Sequence, residues 1–284
     1  MEGLKKIGVL GAGMMGAEIA LCFAVSGFET VMKETNLELA EKGKARLDKI
    51  LDGAIQKGKF QAQEKEVTLA RIIPTDSHDL FEKVDLVVEA VYESLEAKKE
   101  VLIELDKICK PGCVFASNTS SIPITQLAAF LKPDRIGRFI GAHFFSPAFV
   151  MKLVEVIPGL ETMEETVAFM MERCRRIGKT PIRVKDVTGF AVNRIAHAML
   201  IEALRLVEEG VASPEDIDTA CKMGLGHPVG PFALMDLTNN SLSLKIQEIL
   251  YEAYGERFKP RPILKQMVHA NHLGRVTGKG WYVY

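Results

Sequence analysis

Tryptophan occurs once in the 284 residues, aromatic residues make up 7%, and neither sign of charge is in excess: 36 Lys and Arg stand against 37 Asp and Glu, a formal net charge of −1. A chain so balanced has no overall field to attract nucleic acid or an anionic membrane surface, so neither is expected as a partner. Long apolar runs are also missing. None approaches the roughly 20 residues that a membrane-spanning helix needs. The chain enters the run Lys5-Lys6-Ile7-Gly8-Val9-Leu10 almost at once, which reads against a signal peptide. The five cysteines (Cys22, Cys109, Cys113, Cys174, Cys221) are odd in number and scattered. The one close pair, Cys109 and Cys113, has no second pair or histidine to complete a zinc site, so no metal is expected and the thiols read as reduced, in a cytoplasm. There is no tandem repeat and no low-complexity segment.

What is present is an ordinary folding composition, 48% hydrophobic and 26% charged, at a length that suggests about two domains. Up to about residue 186, short runs rich in Val, Ile and Phe alternate with longer stretches of helical periodicity, the pattern of a parallel sheet with crossover helices. Strands are expected at 6–10, 29–33, 85–90, 114–117, 139–143, 152–157 and 181–185. The segment of about 36–70 is longer than an ordinary crossover and is divided by Gly53 and Gly58, which predicts a helical hairpin inserted into the sheet domain. After Thr188-Gly189 the strand signals stop until the last few residues. Val192, Ile195, Met199, Ala203 and Val207 then recur on one helical face, and Ser213-Pro214-Glu215-Asp216 marks a helix start. The expected fold is therefore α/β: a doubly wound, mostly parallel sheet of Rossmann type over 1–186, followed by an all-α domain over 187–284. The join is a natural place for a cleft.

Gly11-Ala12-Gly13-Met14-Met15-Gly16 follows the first expected strand and opens a helical pattern. Glycine at the first position permits a tight turn, at the second a close approach of backbone to a pyrophosphate, and at the third close helix packing. Glu34 ends the second expected strand, where an acid can accept hydrogen bonds from a ribose 2′-OH and repel a 2′-phosphate. The pattern reads as a site for NAD rather than NADP. Lys33 beside Glu34 would soften that discrimination if its side chain faced the ribose.

In an open α/β sheet the ligand crevice lies beyond the carboxyl ends of the strands. There Val114-Phe115-Ala116 runs into Ser117-Asn118-Thr119-Ser120-Ser121, Phe139-Ile140-Gly141-Ala142 runs into His143, and Leu153-Val154 leads to Glu155. Hydride transfer from an alcohol needs a base for the hydroxyl proton, and an imidazole suits that task at neutral pH. A carboxylate on its other nitrogen fixes the tautomer, which is the reason to pair His143 with Glu155. Taken singly these residues have plainer readings: a hydrogen-bonded strand-end histidine, the wet face of an alternating strand, a polar turn, a helix-capping Asn193.

In combination they resemble the 3-hydroxyacyl-CoA dehydrogenase family, closest to its short bacterial 3-hydroxybutyryl-CoA dehydrogenases. The resemblance rests on the glycine motif, Val88-Glu89-Ala90 with Glu93 and Lys98, Ser117 through Ser121, His143-Phe144-Phe145 with Pro147, Met151-Lys152-Leu153-Val154-Glu155-Val156, Gly189-Phe190 with Val192-Asn193-Arg194, and Gly278-Lys279-Gly280-Trp281-Tyr282. It implies hydride transfer between NAD and a (3S)-3-hydroxyacyl-CoA, short-chained, in fatty acid or butanoate metabolism. His143 would be the general base, oriented by Glu155, with Ser120 and Asn193 on the substrate oxygens. Glu93, Lys98, Ser120 and Ser146 would lie along the nicotinamide half of the cofactor. The resemblance further implies a homodimer built through the helical domain, a site completed when the two domains close, and coenzyme A between the hairpin and the cleft. Of the hairpin cations Lys42, Lys44, Arg46, Lys49, Lys57 and Lys59, Lys57 is the residue chosen for its phosphates. Three positions depart from the family pattern: Glu34 stands where Asp is commoner, Ser146 replaces an Asn, and Val276 replaces a cofactor-contacting Lys.

Two other readings compete. A β-hydroxyacid dehydrogenase acting on a free acid would share the glycine loop but use a catalytic lysine in the helical domain, whereas this chain carries His143, Glu155 and Asn193. A non-catalytic NAD-binding sensor would keep Gly11, Gly13, Gly16 and Glu34 without needing His143 and Glu155 together. The cofactor assignment is testable at Glu34. Glu34→Ala is expected to weaken NADH binding and narrow the gap between NADH and NADPH in a fluorescence titration; unchanged selectivity would place the ribose elsewhere.

Overall fold

The computed structural model describes residues 6–284, which form two compact units, the first ending at Asp186 and the second running Val187–Tyr284. In the first, β1(Lys6–Leu10) leads into α1(Met14–Val25) and β2(Glu29–Lys33). The hairpin follows as α2(Leu37–Gln56) and α3(Lys65–Ala70), then β3(Ile72–Thr75), β4(Leu86–Glu89), α4(Leu95–Ile108) and β5(Val114–Ser117). The short helices α5(Ile124–Ala128) and α6(Pro133–Ile136) precede β6(Phe139–Phe144), β7(Leu153–Pro158), α7(Glu164–Arg176) and β8(Thr180–Arg183).

The eight strands form one sheet in the order β3-β2-β1-β4-β5-β6-β7-β8, parallel throughout except between β6 and β7. Strand order reverses at β1, so the carboxyl ends of β1 and β4 open the crevice expected of a doubly wound sheet. The seven expected strands are present with ends shifted by two residues or less. The eighth, β3, has no counterpart among them: Ile72-Ile73-Pro74-Thr75 is four residues long and contains a proline. Proline is tolerated there because β3 is an edge strand and needs to pair on one side only.

α1 is buried from Gly16 to Ala24 without interruption, which explains why it lacks an amphipathic stripe: it is enclosed on all sides. α2 is the opposite case, with Ala40, Gly43, Leu47 and Leu51 forming one buried face. Gly53 lies within α2 rather than dividing the hairpin; the chain turns at Gly58, where φ is +65°. Lys65 at the start of α3 reaches back to Asp48 (2.8 Å) and Asp52 (2.6 Å) on α2. At the amino end of the sheet, buried Arg135 bonds Asp106 and the carbonyls of Cys109, Lys110, Pro111 and Cys113, so one guanidinium closes the end of α4. All five cysteines are free thiols.

The second unit holds α8(Val192–Glu208), α9(Pro214–Gly224), α10(Pro231–Thr238), α11(Asn240–Tyr254) and α12(Pro262–His269). Ser213 caps α9 as its sequence predicts, accepting the Asp216 N–H at 3.1 Å. Two buried aspartates organise the rest. Asp218 accepts the Phe232 and Ala233 N–H groups at the start of α10, and Asp236 accepts those of Trp281 and Tyr282, which secures the C-terminal segment. On α8 the expected face packs in part: Ala203 is buried, and Met199 and Val207 lie against the core of this unit. Ile195 is 72% exposed, and the buried side chains are His197, Leu200, Ile201, Ala203 and Leu204. The helix is apolar on more than one side, so periodicity alone offers two faces and packing chooses.

His197 has its Nδ1 buried without a hydrogen-bond partner, and desolvation pushes its pKa down to about 4. A neutral imidazole is therefore required for the fold. The unfolded chain takes up the proton near the ordinary value of about 6.5, so stability is full above that pH and falls as pH drops from about 6.5 toward 4. The loss should reach about 3 kcal/mol. His197→Leu is expected to flatten this stretch of the urea-midpoint profile; an unchanged slope would place the titrating group elsewhere.

Candidate active site

The glycine loop joins β1 to α1 in a conformation that its residues dictate. Gly11 has φ +89°, and its N–H donates to the Lys33 carbonyl at 2.8 Å, tying the loop to β2. A Cβ on Gly16 would lie 1.9 Å from the Gly11 carbonyl oxygen, so helix and loop touch as only glycine allows. A Cβ on Gly13 would meet nothing within 4 Å, and no side chain caps α1. The first turn of α1 also contains no acid, and its N-terminus therefore presents backbone donors and positive dipole to the crevice. Met14 is exposed, Met15 half-buried and Ala12 buried.

Glu34 stands beside this loop. One of its carboxylate oxygens accepts the Ala12 N–H at 2.9 Å and the other accepts the Thr35 N–H at 2.8 Å, which leaves lone pairs for ribose hydroxyls. Lys33 turns its ammonium to the Glu34 backbone carbonyl (3.4 Å) rather than to the carboxylate. An anion-accepting helix start flanked by a carboxylate suits a dinucleotide bearing a free 2′-OH. α2 supports the loop from behind: Arg46 donates to the Ala12 carbonyl at 2.8 Å, and a Cβ on Gly43 would come within 2.6 Å of the same oxygen.

Around the next strand ends lies a buried charge network. Glu89, last in β4, accepts the Ser117 hydroxyl (2.5 Å), the Val91 N–H (2.8 Å) and the Lys98 ammonium (2.7 Å). Lys98, 1% exposed, also pairs with Glu93 at 3.1 Å. Glu93 in turn gathers the segment after β5, accepting from the Thr119 hydroxyl (2.6 Å), the Ser120 and Ser121 amides (2.9 and 3.1 Å) and the Ser121 hydroxyl (3.0 Å). Burial pushes the Glu93 carboxyl up, but Lys98 together with these donors outweighs it and holds the group below the ordinary carboxylate range. Ser120 is thus fixed in position by a carboxylate that stays ionised.

His143 and Glu155 face each other directly across the antiparallel pair β6/β7, with Nδ1 and a carboxylate oxygen 2.8 Å apart. Glu155 is fully buried and the His143 side chain 8% exposed. An ionised carboxylate only accepts, so the network assigns the Nδ1 position a proton and makes Nε2 the basic nitrogen. The Phe145 ring packs against the imidazole at 4.5 Å between centroids. Asn118 accepts the Phe144 N–H at 2.8 Å and so ties the end of β6 to the Ser120 segment. Sequence reasoning quoted Asn118 and Glu89 within motifs but gave them no task; the only available signal was their place at strand ends.

Ser146 is exposed and precedes Pro147 through a cis peptide. Asn193 is the second residue of α8, in the other unit. Of the hairpin cations, Lys44 donates to the Ile72 carbonyl (2.7 Å) and Arg46 to Ala12, so both support structure; Lys57 is the exposed residue that closes α2. Among the described residues no cluster of His, Cys, Asp and Glu could hold a metal ion, and no helix is long and apolar enough to cross a membrane.

Residues 6–187 match the model of the 3-hydroxyacyl-CoA dehydrogenase NAD-binding domain, and residues 189–284 match that of the same family's C-terminal domain. The chain is 43% identical over 282 residues to a probable 3-hydroxybutyryl-CoA dehydrogenase of Bacillus subtilis, covering 99% of this chain and 98% of the relative. It is 40% identical to the 3-hydroxybutyryl-CoA dehydrogenase of Clostridioides difficile, covering 98% and 99%. The crystal structure of the (S)-3-hydroxybutyryl-CoA dehydrogenase of Ralstonia eutropha superposes with a TM-score of 0.95 at 42% identity, covering 99% of each chain. With a dinucleotide loop, a paired imidazole at the carboxyl ends of one sheet, and both family domains matched end to end, the chain belongs to the NAD-dependent 3-hydroxyacyl-CoA dehydrogenases.

Proposed function

We propose that the enzyme interconverts a short (3S)-3-hydroxyacyl-CoA and its 3-oxoacyl-CoA, typified by 3-hydroxybutyryl-CoA and acetoacetyl-CoA, with His143 as general base. The observation that carries this reading is the 2.8 Å contact between His143 and Glu155 at the carboxyl end of a strand parallel to β1. The names of the relatives support the substrate class.

NAD, when bound, supplies the hydride acceptor, held by the α1 N-terminus and Glu34. In the oxidative direction His143 Nε2 takes the proton of the 3-hydroxyl as the C3 hydrogen departs with its electron pair and the carbonyl forms. Glu155 stabilises the resulting imidazolium, a partner of opposite charge already in place and shielded from water. In the reductive direction the imidazolium returns the proton to the carbonyl oxygen. Ser120 and Asn193 hydrogen-bond substrate oxygens, while Glu93, and Lys98 acting through it, keep Ser120 in place beside the nicotinamide. Ser146 lines the same half of the cofactor, and Lys57 meets a coenzyme A phosphate. The helical unit is the proposed seat of a homodimer, and the cytoplasm the proposed location.

The first assay is NADH absorbance on adding acetoacetyl-CoA, beside NADPH and beside free acetoacetate. Rapid oxidation of NADH with the thioester alone is expected; turnover of the free acid alone would overturn the substrate class. His143→Ala should lower kcat by about 10²-fold or more with NADH binding nearly intact. Wild-type turnover in that variant would remove His143 from the mechanism.

A further inference from the structure

Residues 145–152 carry the chain from the strand of His143 to that of Glu155, and side chains outside every motif hold this connector in place. Pro147 accepts the Val150 and Met151 amides, which turns the Ala148 and Met151 carbonyls toward Lys179. Lys179, 6% exposed, donates its ammonium to both, at 2.5 Å and 2.7 Å. Glu18 on α1, 5% exposed, accepts the Phe149 N–H at 2.9 Å. One turn further along α1, the Cys22 thiol donates to the Ala148 carbonyl at 3.5 Å. Burial pushes that thiol up to about 11 against the pull of Lys179, so it stays neutral, and the buried charges at the connector are those of Glu18 and Lys179.

Burying a carboxylate and an ammonium is a poor route to stability, since well-packed apolar side chains of similar size commonly do as well or better. The two charges secure backbone geometry instead. β6 is buried at all six positions and β7 at its four central ones, so no alternation of wet and dry faces pins their register. A slip of one residue would turn Glu155 to the opposite face from His143. We propose that Lys179 and Glu18 are positioning residues for the base: by fixing the 145–152 connector they hold His143 opposite Glu155 and reference that pair to α1. The helix that begins at the glycine loop thereby also locates the base. This inference rests on the reading of His143 as the general base.

The test compares wild type with Lys179→Met, Lys179→Arg and Glu18→Gln, each checked for native circular dichroism. In the proton NMR spectrum the far-downfield Nδ1–H signal of His143 should be protected from exchange in wild type, lost in Lys179→Met and recovered in Lys179→Arg. With acetoacetyl-CoA and NADH, Lys179→Met should lose about 10- to 100-fold in kcat, the scale expected when a reacting group is misplaced from a distance, with both KM values within about twofold of wild type. Glu18→Gln keeps an acceptor for Phe149 and should show the same pattern in weaker form, which preserves the test if Lys179→Met does not fold. Native kcat and a protected signal in both Lys179→Met and Glu18→Gln would overturn the clamp while leaving the proposed function standing. A signal that depends on Lys179 in a wild-type protein without turnover would do the reverse.

Discussion

The hydrogen bond between His143 and Glu155 exists because β7 runs against β6. A parallel continuation of the sheet would need a crossover of about a dozen residues or more, and the connector here occupies only 145–152. The sheet therefore reverses direction at the edge of the crevice, and the reversal delivers a carboxylate from the strand beside the histidine. Glu155 is fully buried. A carboxylate in that setting persists because the imidazole answers it, and the imidazole keeps its tautomer because the carboxylate is there.

A second carboxylate, beyond the end of β4, performs a different task. Glu93 shares Lys98 with Glu89 and spends its oxygens on the amides and hydroxyls of Thr119, Ser120 and Ser121. Its action is that of a template: the segment after β5 takes its shape by pointing donors at one fixed anion. The pull of Lys98 and those donors keeps Glu93 ionised despite its burial, so the template survives across the neutral range. Asn118 then joins the segment to β6 through the Phe144 amide, and the serine-bearing loop and the histidine-bearing strand become one hydrogen-bonded assembly.

Much of this is legible in the amino-acid sequence. Gly11, Gly13, Gly16 and Glu34 announce themselves because backbone conformation and charge at a strand-helix turn constrain residue type directly. The apolar runs placed seven strands, and strand ends pointed to Ser117, His143 and Glu155. β3 escapes because four residues with an internal proline carry almost no periodic signal, and the burial of Leu200, Ile201 and Leu204 on α8 escapes because that helix has apolar residues on more than one side. Arg46 and Lys44 read as solvent-facing cations in a charged helix, yet both reach carbonyls distant in the chain. Glu18 and Lys179 were silent for the same reason. Their meaning lies in backbone atoms more than a hundred and about thirty residues away respectively, and no local pattern encodes that pairing.

The contact of Gly43 with Ala12 has a practical side for anyone reshaping the hairpin. α2 and the dinucleotide loop meet backbone to backbone at the Ala12 carbonyl with no room for a methyl group on Gly43, and Arg46 fastens the same carbonyl from one turn away. They behave mechanically as a single part. A library that randomises the hairpin to accept bulkier thioesters will therefore select, unasked, on cofactor affinity as well, and grafting this insertion onto another sheet would require transplanting its glycine loop with it.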